Sequence, residues 1–241
     1  MPKETTPVPG YFCENMTFAA REAMKKLRTN TTLVLPKTDA CKIIGVTSSQ
    51  AGEGKSSTII NLAYSFAELG NKVLVVDSDL RRPSIADKLE LTSEIGLGDL
   101  LTDNDDISSA IQRYQDSTGK AGFDLICGKG YFENASELLS SRRFTSLLNM
   151  LIKAYEYILI DLPPVSAVID AVVVGKHTDG LIVVVRENKI PRKQFENCIS
   201  QIEFANIKIL GVVVNGSTSG AGKKYQYQYN SYGSYGYYGH K

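Results

Sequence analysis

Residues 46–57 read VTSSQAGEGKSS, a run of small side chains ending in a lysine and two serines. Small residues let main-chain N–H groups close on phosphate oxygens, and a helix starting at the lysine adds the positive end of its dipole. In this reading Ser49, Gln50, Ala51, Gly52, Glu53, Gly54, Lys55, Ser56 and Ser57 wrap the phosphates of a nucleotide. The Lys55 ammonium reaches the β- and γ-phosphates, and the Ser56 hydroxyl ligates Mg²⁺. The phosphate-loop pattern G-x-x-x-x-G-K-[ST] is met except at its first position, where Ser49 stands for glycine.

Two acidic stretches add to this chemistry. VLVVDSDLRRP places Asp77 and Asp79 behind an apolar run, and YILIDLPP places Asp161 behind another. One aspartate at a strand end is commonly a turn former or a helix cap. Three of them in the same sheet as a phosphate loop fit Mg²⁺ and its waters better, with Ser56, Asp79 and Asp161 on the metal side.

The third feature is YQYQYNSYGSYGYYGHK, residues 225–241, which gathers seven of the thirteen tyrosines of the chain: Tyr225, Tyr227, Tyr229, Tyr232, Tyr235, Tyr237 and Tyr238. Gly, Ser, Asn and Gln separate them, and no Leu, Ile or Val is present to build a core. Such composition does not offset its ordering entropy, so the expectation is a flexible tail. By composition alone it is a sticky segment, apt to associate or to stack on nucleic acid.

Positioning these residues requires strands that end at the carboxylates and a helix that begins at Lys55. The sequence supplies both. KIIGVT (42–47), KVLVVD (72–77), FDLIC (123–127), YILID (157–161), GLIVVV (180–185) and IKILGVVVN (207–215) read as strands, most of them apolar on both faces. Helices are expected at 15–30, with Thr17 as cap and Phe18, Met24 and Leu27 as an apolar stripe, and at 55–70, ended by Gly70. Further helices fit 84–89, the GLGDLL and DISSAIQ stretches, most of SELLSSRRFTSLLNMLIKAY, 168–177 and 191–204. Apolar strands alternating with helices predict an α/β fold: a mostly parallel sheet with helices on both faces and ligands at the carboxyl ends of the strands. The division reads as a loose segment 1–14, one domain over 15–215, and the tail 216–241.

The bulk numbers agree with that plan. The 241 residues suffice for one full core, with 43% hydrophobic and 22% charged residues. A net charge of +1 gives no field directed at nucleic acid or anionic lipid. No apolar run is long enough for a membrane span, and MPKETTPVPG carries no signal core, so a cytoplasmic protein is expected. Cys13, Cys41, Cys127 and Cys198, with His177 and His240, show no metal-ligand spacing.

The motifs together resemble a family, the bacterial tyrosine kinases of capsular and exopolysaccharide synthesis. SSQAGEGKSS matches its Walker A, LVVDSDLR its acidic Walker A′, ILIDLPP its Walker B, and the tyrosine cluster closes the series over nearly the whole chain. The resemblance implies an α/β P-loop fold like that of MinD and ParA, with MgATP as phosphoryl donor and the tail tyrosines as acceptors. It also implies Asn215 against the adenine, Lys55 as the phosphate-binding catalytic residue, and Asp77 or Asp79 as acceptor of the phenolic proton, with the lean to Asp77. Arg81 would orient the acidic loop.

The family's oligomerisation motif, Glu-x-x-Arg-x-x-Arg, appears as Glu22, Lys25 and Arg28, with lysine replacing the middle arginine and losing its bidentate fork. Partners implied are further copies of the chain, arranged as a ring, and a membrane-embedded activator that recruits the kinase to the inner face of the membrane. A cognate tyrosine phosphatase and other protein substrates follow in the same way. Phosphorylation within one chain or between chains stays open, since a tail of this length reaches roughly 25 Å as a coil. Two rivals also stay open: a MinD/ParA-type ATPase, which usually carries a lysine where Gln50 stands, and a nucleotide-gated adaptor without catalysis.

Overall fold

The computed structural model describes residues 12–103 and 106–216. The chain runs through α1 (Phe18–Val34), β1 (Lys42–Ser48), α2 (Lys55–Ala67), β2 (Val73–Asp77), α3 (Ile85–Lys88), α4 (Leu97–Thr102) and α5 (Ile107–Ala110). It continues with β3 (Ile111–Gln115), β4 (Gly122–Ile126), α6 (Ala135–Leu139), α7 (Arg142–Leu151), β5 (Tyr157–Asp161), α8 (Asp170–Gly175), β6 (Gly180–Arg186), α9 (Arg192–Phe204) and β7 (Ile209–Asn215). The seven strands form one sheet in the order β3-β4-β2-β5-β1-β6-β7, parallel except for β3.

Alternation along the strands divides the core into two layers. Ile44 and Val46, Val73 and Val75, Leu159, and Ile182 and Val184 face α1 and α2. Leu74 and Val76, Ile158 and Ile160, and Leu181, Val183 and Val185 face α4 and α6–α9. This double coverage explains why the central strands are apolar throughout.

Register does the positioning. The β2–β5 ladder pairs Asp77 with Asp161, and the β1–β5 ladder pairs Val46 with Asp161. The two carboxylates therefore lie side by side at the carboxyl edge, next to the turn that leaves β1. There Gly54, at φ +96°, is the N-cap of α2, so the helix begins at Lys55. Gly70, at φ +85°, follows its last turn.

Four sequence expectations are corrected. The polar stretch IQRYQ, whose first two residues were assigned to helix, is the antiparallel edge strand β3. It gave no apolar signal because an edge strand needs little burial. Cys13 and Glu14, assigned to a loose segment, open a 3₁₀ turn (Cys13–Asn15) with Cys13 buried and its N–H on Asn61 Oδ1 at 2.8 Å. Thr17 caps α1 as expected, but the helix runs on to Val34. Phe18 leaves the predicted stripe: it is 73% exposed, whereas Met24 is buried. No helix among the described residues is long and apolar enough to cross a membrane.

Candidate active site

The phosphate loop is held from behind by its own glutamate. Glu53 is fully buried; its carboxylate accepts from Ser49 Oγ (2.6 Å), Gln50 N (2.9 Å) and, across the sheet, Arg186 N (3.2 Å). The Glu53 side chain thus shapes the loop and is spent on protein donors, so only its main chain is left for phosphate. The loop is also pinned to the segment after Walker B, where Val165 N donates to Ser48 O (2.9 Å) and Ser166 Oγ donates to Ser49 O. The Asn215 amide donates to Glu53 O at 3.0 Å, so this residue closes on the loop itself. A Cβ on Gly54 would come within 2.0 Å of Asn215 Nδ2, in a backbone region that side chains resist. Gly54→Ala is therefore expected to weaken nucleotide binding at least about tenfold. Titration with a fluorescent ADP measures this; unchanged affinity would show that the Asn215–loop contact is dispensable.

Lys55 stands among the aspartates. Its ammonium lies 3.1 Å from Asp79 Oδ2 and 3.2 Å from Asp161 Oδ2. The Ser56 hydroxyl donates to the same Asp161 oxygen at 2.7 Å. Burial alone would lower the lysine's pKa, but the fields of Asp161, Asp79 and Asp77 outweigh it and raise it. Asp77 is fully buried. Its Oδ2 accepts from Ser84 N (3.0 Å) and Ile85 N (3.1 Å), and its Oδ1 accepts from Asp79 N (3.2 Å). Burial first, and the Asp161 charge second, push its carboxyl up to about 7. Asp161 is raised too, by burial, against the opposing pull of Lys55 and Ser56.

The second oxygen of Asp161, Oδ1, is buried with no hydrogen-bond partner among the described residues. An orphaned carboxylate oxygen beside a serine hydroxyl suits a hard cation. No three His, Cys, Asp or Glu side chains gather as a cage among the described residues. Mg²⁺ does not need one: it takes one or two protein ligands and completes its shell with phosphates and water. The residues present fit it.

Of the predicted site, the structure brings together residues 49–57, Asp77, Asp79, Asp161 and Asn215. The tail tyrosines lie outside the described residues. Glu22 and Lys25 pair with each other at 2.8 Å on α1, while Arg28 turns inward to the main-chain oxygen and hydroxyl of Ser65 on α2. Three contributors were missed. Ser84 Oγ lies 3.1 Å from Ser56 Oγ; its one signal was its place at the start of the predicted helix 84–89. Asp170, buried on α8, receives Arg81 Nε at 3.1 Å and the Ser136 hydroxyl, and so braces the acidic loop as Arg81 was expected to do. Lys189, on the loop after β6, had no local signal at all.

A phosphate loop at a helix N-terminus, with strand-end carboxylates around its lysine, defines a P-loop nucleotide-binding domain. Residues 41–210 match the family model of the AAA domain. The chain is 32% identical to tyrosine-protein kinase YwqD of Bacillus subtilis over 186 residues, 77% of each protein. It shares 31% identity and a TM-score of 0.80 with the kinase domain of Escherichia coli tyrosine kinase ETK, covering 88% of this chain and 82% of that one. Against full-length Etk of Escherichia coli the match spans 92% of this chain but 30% of that protein. The septum site-determining protein MinD of Pyrococcus horikoshii, solved with Mg-ADP, shares the fold at a TM-score of 0.60, 24% identity and 72% coverage of this chain and 70% of that one. The chain belongs to the bacterial tyrosine kinases of capsular and exopolysaccharide synthesis; it is a protein-tyrosine kinase built on a MinD-like P-loop fold.

Proposed function

We propose that this kinase moves the γ-phosphoryl group of MgATP onto the tyrosines of its own C-terminal tail, chiefly between copies of the chain. The observation that carries the reading is the meeting of Lys55 with Asp79 and Asp161 beside the Ser56 hydroxyl. When bound, Mg²⁺ at Ser56 and Asp161, with Asp79 nearby, supplies positive charge against the phosphate oxygens. The loop amides and Lys55 hold the phosphates in place. The phenolic oxygen forms its bond to the γ-phosphorus as the bond to the β,γ-bridging oxygen breaks, and ADP leaves. Asp77 takes the phenolic proton; burial raises its carboxyl above the ordinary carboxylate range in the nucleotide-free site, the direction that strengthens a base. Phosphoryl transfer depends mainly on placement and charge, so a weak base suffices. Asn215 lies beside the adenine.

Each phosphotyrosine adds about −1.5 to −2 charge, which repels the tail from a site already rich in carboxylate and phosphate. Unmodified tails thus dock into neighbours and close an assembly, with Glu22 and Lys25 at the contact and Arg28 behind them on Ser65, and modified tails leave it. A membrane-embedded activator holds the kinase at the cytoplasmic face, and a cognate phosphatase resets the tail.

Intact-mass measurement after incubation with MgATP tests the reading. Stepwise phosphate additions that map to Tyr225–Tyr238, and vanish when those seven tyrosines become Phe, are expected; light scattering on both forms should show the larger mass for the unmodified one. ADP release with no mass gain would replace the reading by a MinD/ParA-type ATPase. Neither mass gain nor ADP would leave a nucleotide-gated adaptor.

A further inference from the structure

We propose that Lys189, on the loop between β6 and α9, is a second phosphate-binding cation of this site, selective for the nucleoside triphosphate over the diphosphate. The inference rests on the reading of the cleft as a nucleotide site. Lys189 Nζ lies 3.2 Å from Gly52 O and 3.4 Å from Ala51 O, and its own carbonyl accepts from Gln50 Nε2 at 3.3 Å. Loop and lysine thus clasp each other in both directions. The lysine's segment is fixed in turn: Arg186 N donates to Glu53 Oε1 (3.2 Å), and Glu187 N donates to Asn215 O (2.9 Å). Gly52, at φ +77°, leaves the space; a Cβ there would meet the ammonium at 2.8 Å.

Charge explains why the position matters. Within the pocket one ammonium, Lys55, faces the carboxylates of Asp77, Asp79 and Asp161. Lys55 and a bound Mg²⁺ would together only balance those carboxylates, which leaves the charge of the triphosphate itself to be met. Arg81, the nearest arginine of the acidic motif, is committed to Asp170. Lys189 sits on the rim, exposed, on a flexible stem, and its present partners are neutral carbonyls. An ammonium attracts an anionic phosphate oxygen by the full charge–charge term as well as by the hydrogen bond, whereas a carbonyl oxygen offers only a dipole. The ammonium therefore trades carbonyl oxygens for phosphate oxygens when the triphosphate arrives. The diphosphate, one charged group shorter, draws on it less.

The test is direct binding, by calorimetry or a fluorescent nucleotide, of a non-hydrolysable ATP analogue and of ADP, each with Mg²⁺. Wild type is compared with Lys189→Ala, Lys189→Gln and Lys189→Arg. Glutamine removes the charge but keeps an N–H donor on a side chain one atom shorter, so a clasp that only shapes the loop suffers less from it than from alanine. The expected result is a loss of about tenfold for the ATP analogue in the Ala and Gln variants, a loss of under about threefold for ADP, and near wild-type binding in the Arg variant. Wild-type affinity in the Gln variant, or equal losses for both nucleotides, would overturn the assignment while leaving the nucleotide site intact. A wild-type protein that binds neither nucleotide would overturn the site itself.

Discussion

Lys55→Met should lower the rate of tyrosine phosphorylation by at least about 10³-fold, and Lys55→Arg should restore little of it. The methionine removes the charge that opposes the γ-phosphate and leaves two carboxylates, Asp79 and Asp161, without their shared cation. Arginine keeps a charge, but its planar fork does not fit a pocket where one ammonium is shared between two aspartate oxygens at 3.1 and 3.2 Å. Breaking a buried pair by removing one partner also destabilises the fold, by up to about 3–5 kcal/mol. Proton uptake by a carboxyl softens that loss. Both effects are readable on one sample: phosphate incorporation by intact mass, and thermal unfolding by circular dichroism. A rate within tenfold of wild type would remove Lys55 from the mechanism.

The second large effect is a stability that rises on acidification. The Asp77 carboxyl moves from its ordinary 3.8 to about 7 in the folded protein, because burial and the Asp161 charge disfavour ionisation. Between those values the folded state binds more protons than the unfolded one, so stability falls as pH rises and the loss is complete above about 7. At about 1.4 kcal/mol per pH unit the span amounts to a few kcal/mol. Asp161→Asn removes the neighbouring charge while its amide oxygen can still accept from Lys55 and Ser56. Nucleotide-free Asp161→Asn at pH 8 is therefore expected to be about 1–2 kcal/mol more stable than wild type, or several degrees in Tm. The same variant should lose most of the stabilisation that MgADP confers, since the orphaned Oδ1 is gone. Melting curves at pH 5.5 and 8, with and without MgADP, decide the matter. A flat wild-type profile, or a variant less stable at pH 8, would contradict the account.

Much of this arrangement was legible in the residues. The phosphate loop and strand-end aspartates are contiguous motifs, and contiguous motifs carry their geometry with them. Five of the seven strands are apolar because both their faces are covered; β7, at the other sheet edge, is apolar although Val212 and Val214 are exposed. β3 escaped because its polar residues serve a sheet edge. That Asp77 and Asp161 are neighbours is a matter of register between β2 and β5, which two separate motifs suggest but cannot state. Ser84, Asp170 and Lys189 are ordinary polar residues whose partners lie 28, 89 and 137 residues away in the chain. Apart from the place of Ser84 at a predicted helix start, nothing local marks such residues, because the fold selects them. Arg28 shows the opposite case: its motif was visible, but its inward turn to Ser65 was not.

That inward turn joins two ends of one helix. α2 starts at Lys55 and spans 13 residues, about 20 Å, with Ser65 in its last turn. Eleven of those residues are buried, so the helix has little freedom to bend. It works as a push-rod between the phosphate loop and α1, whose outer side carries Glu22 and Lys25. A displacement at the nucleotide end would therefore be carried to α1 and to the Glu22–Lys25 pair on its outer side.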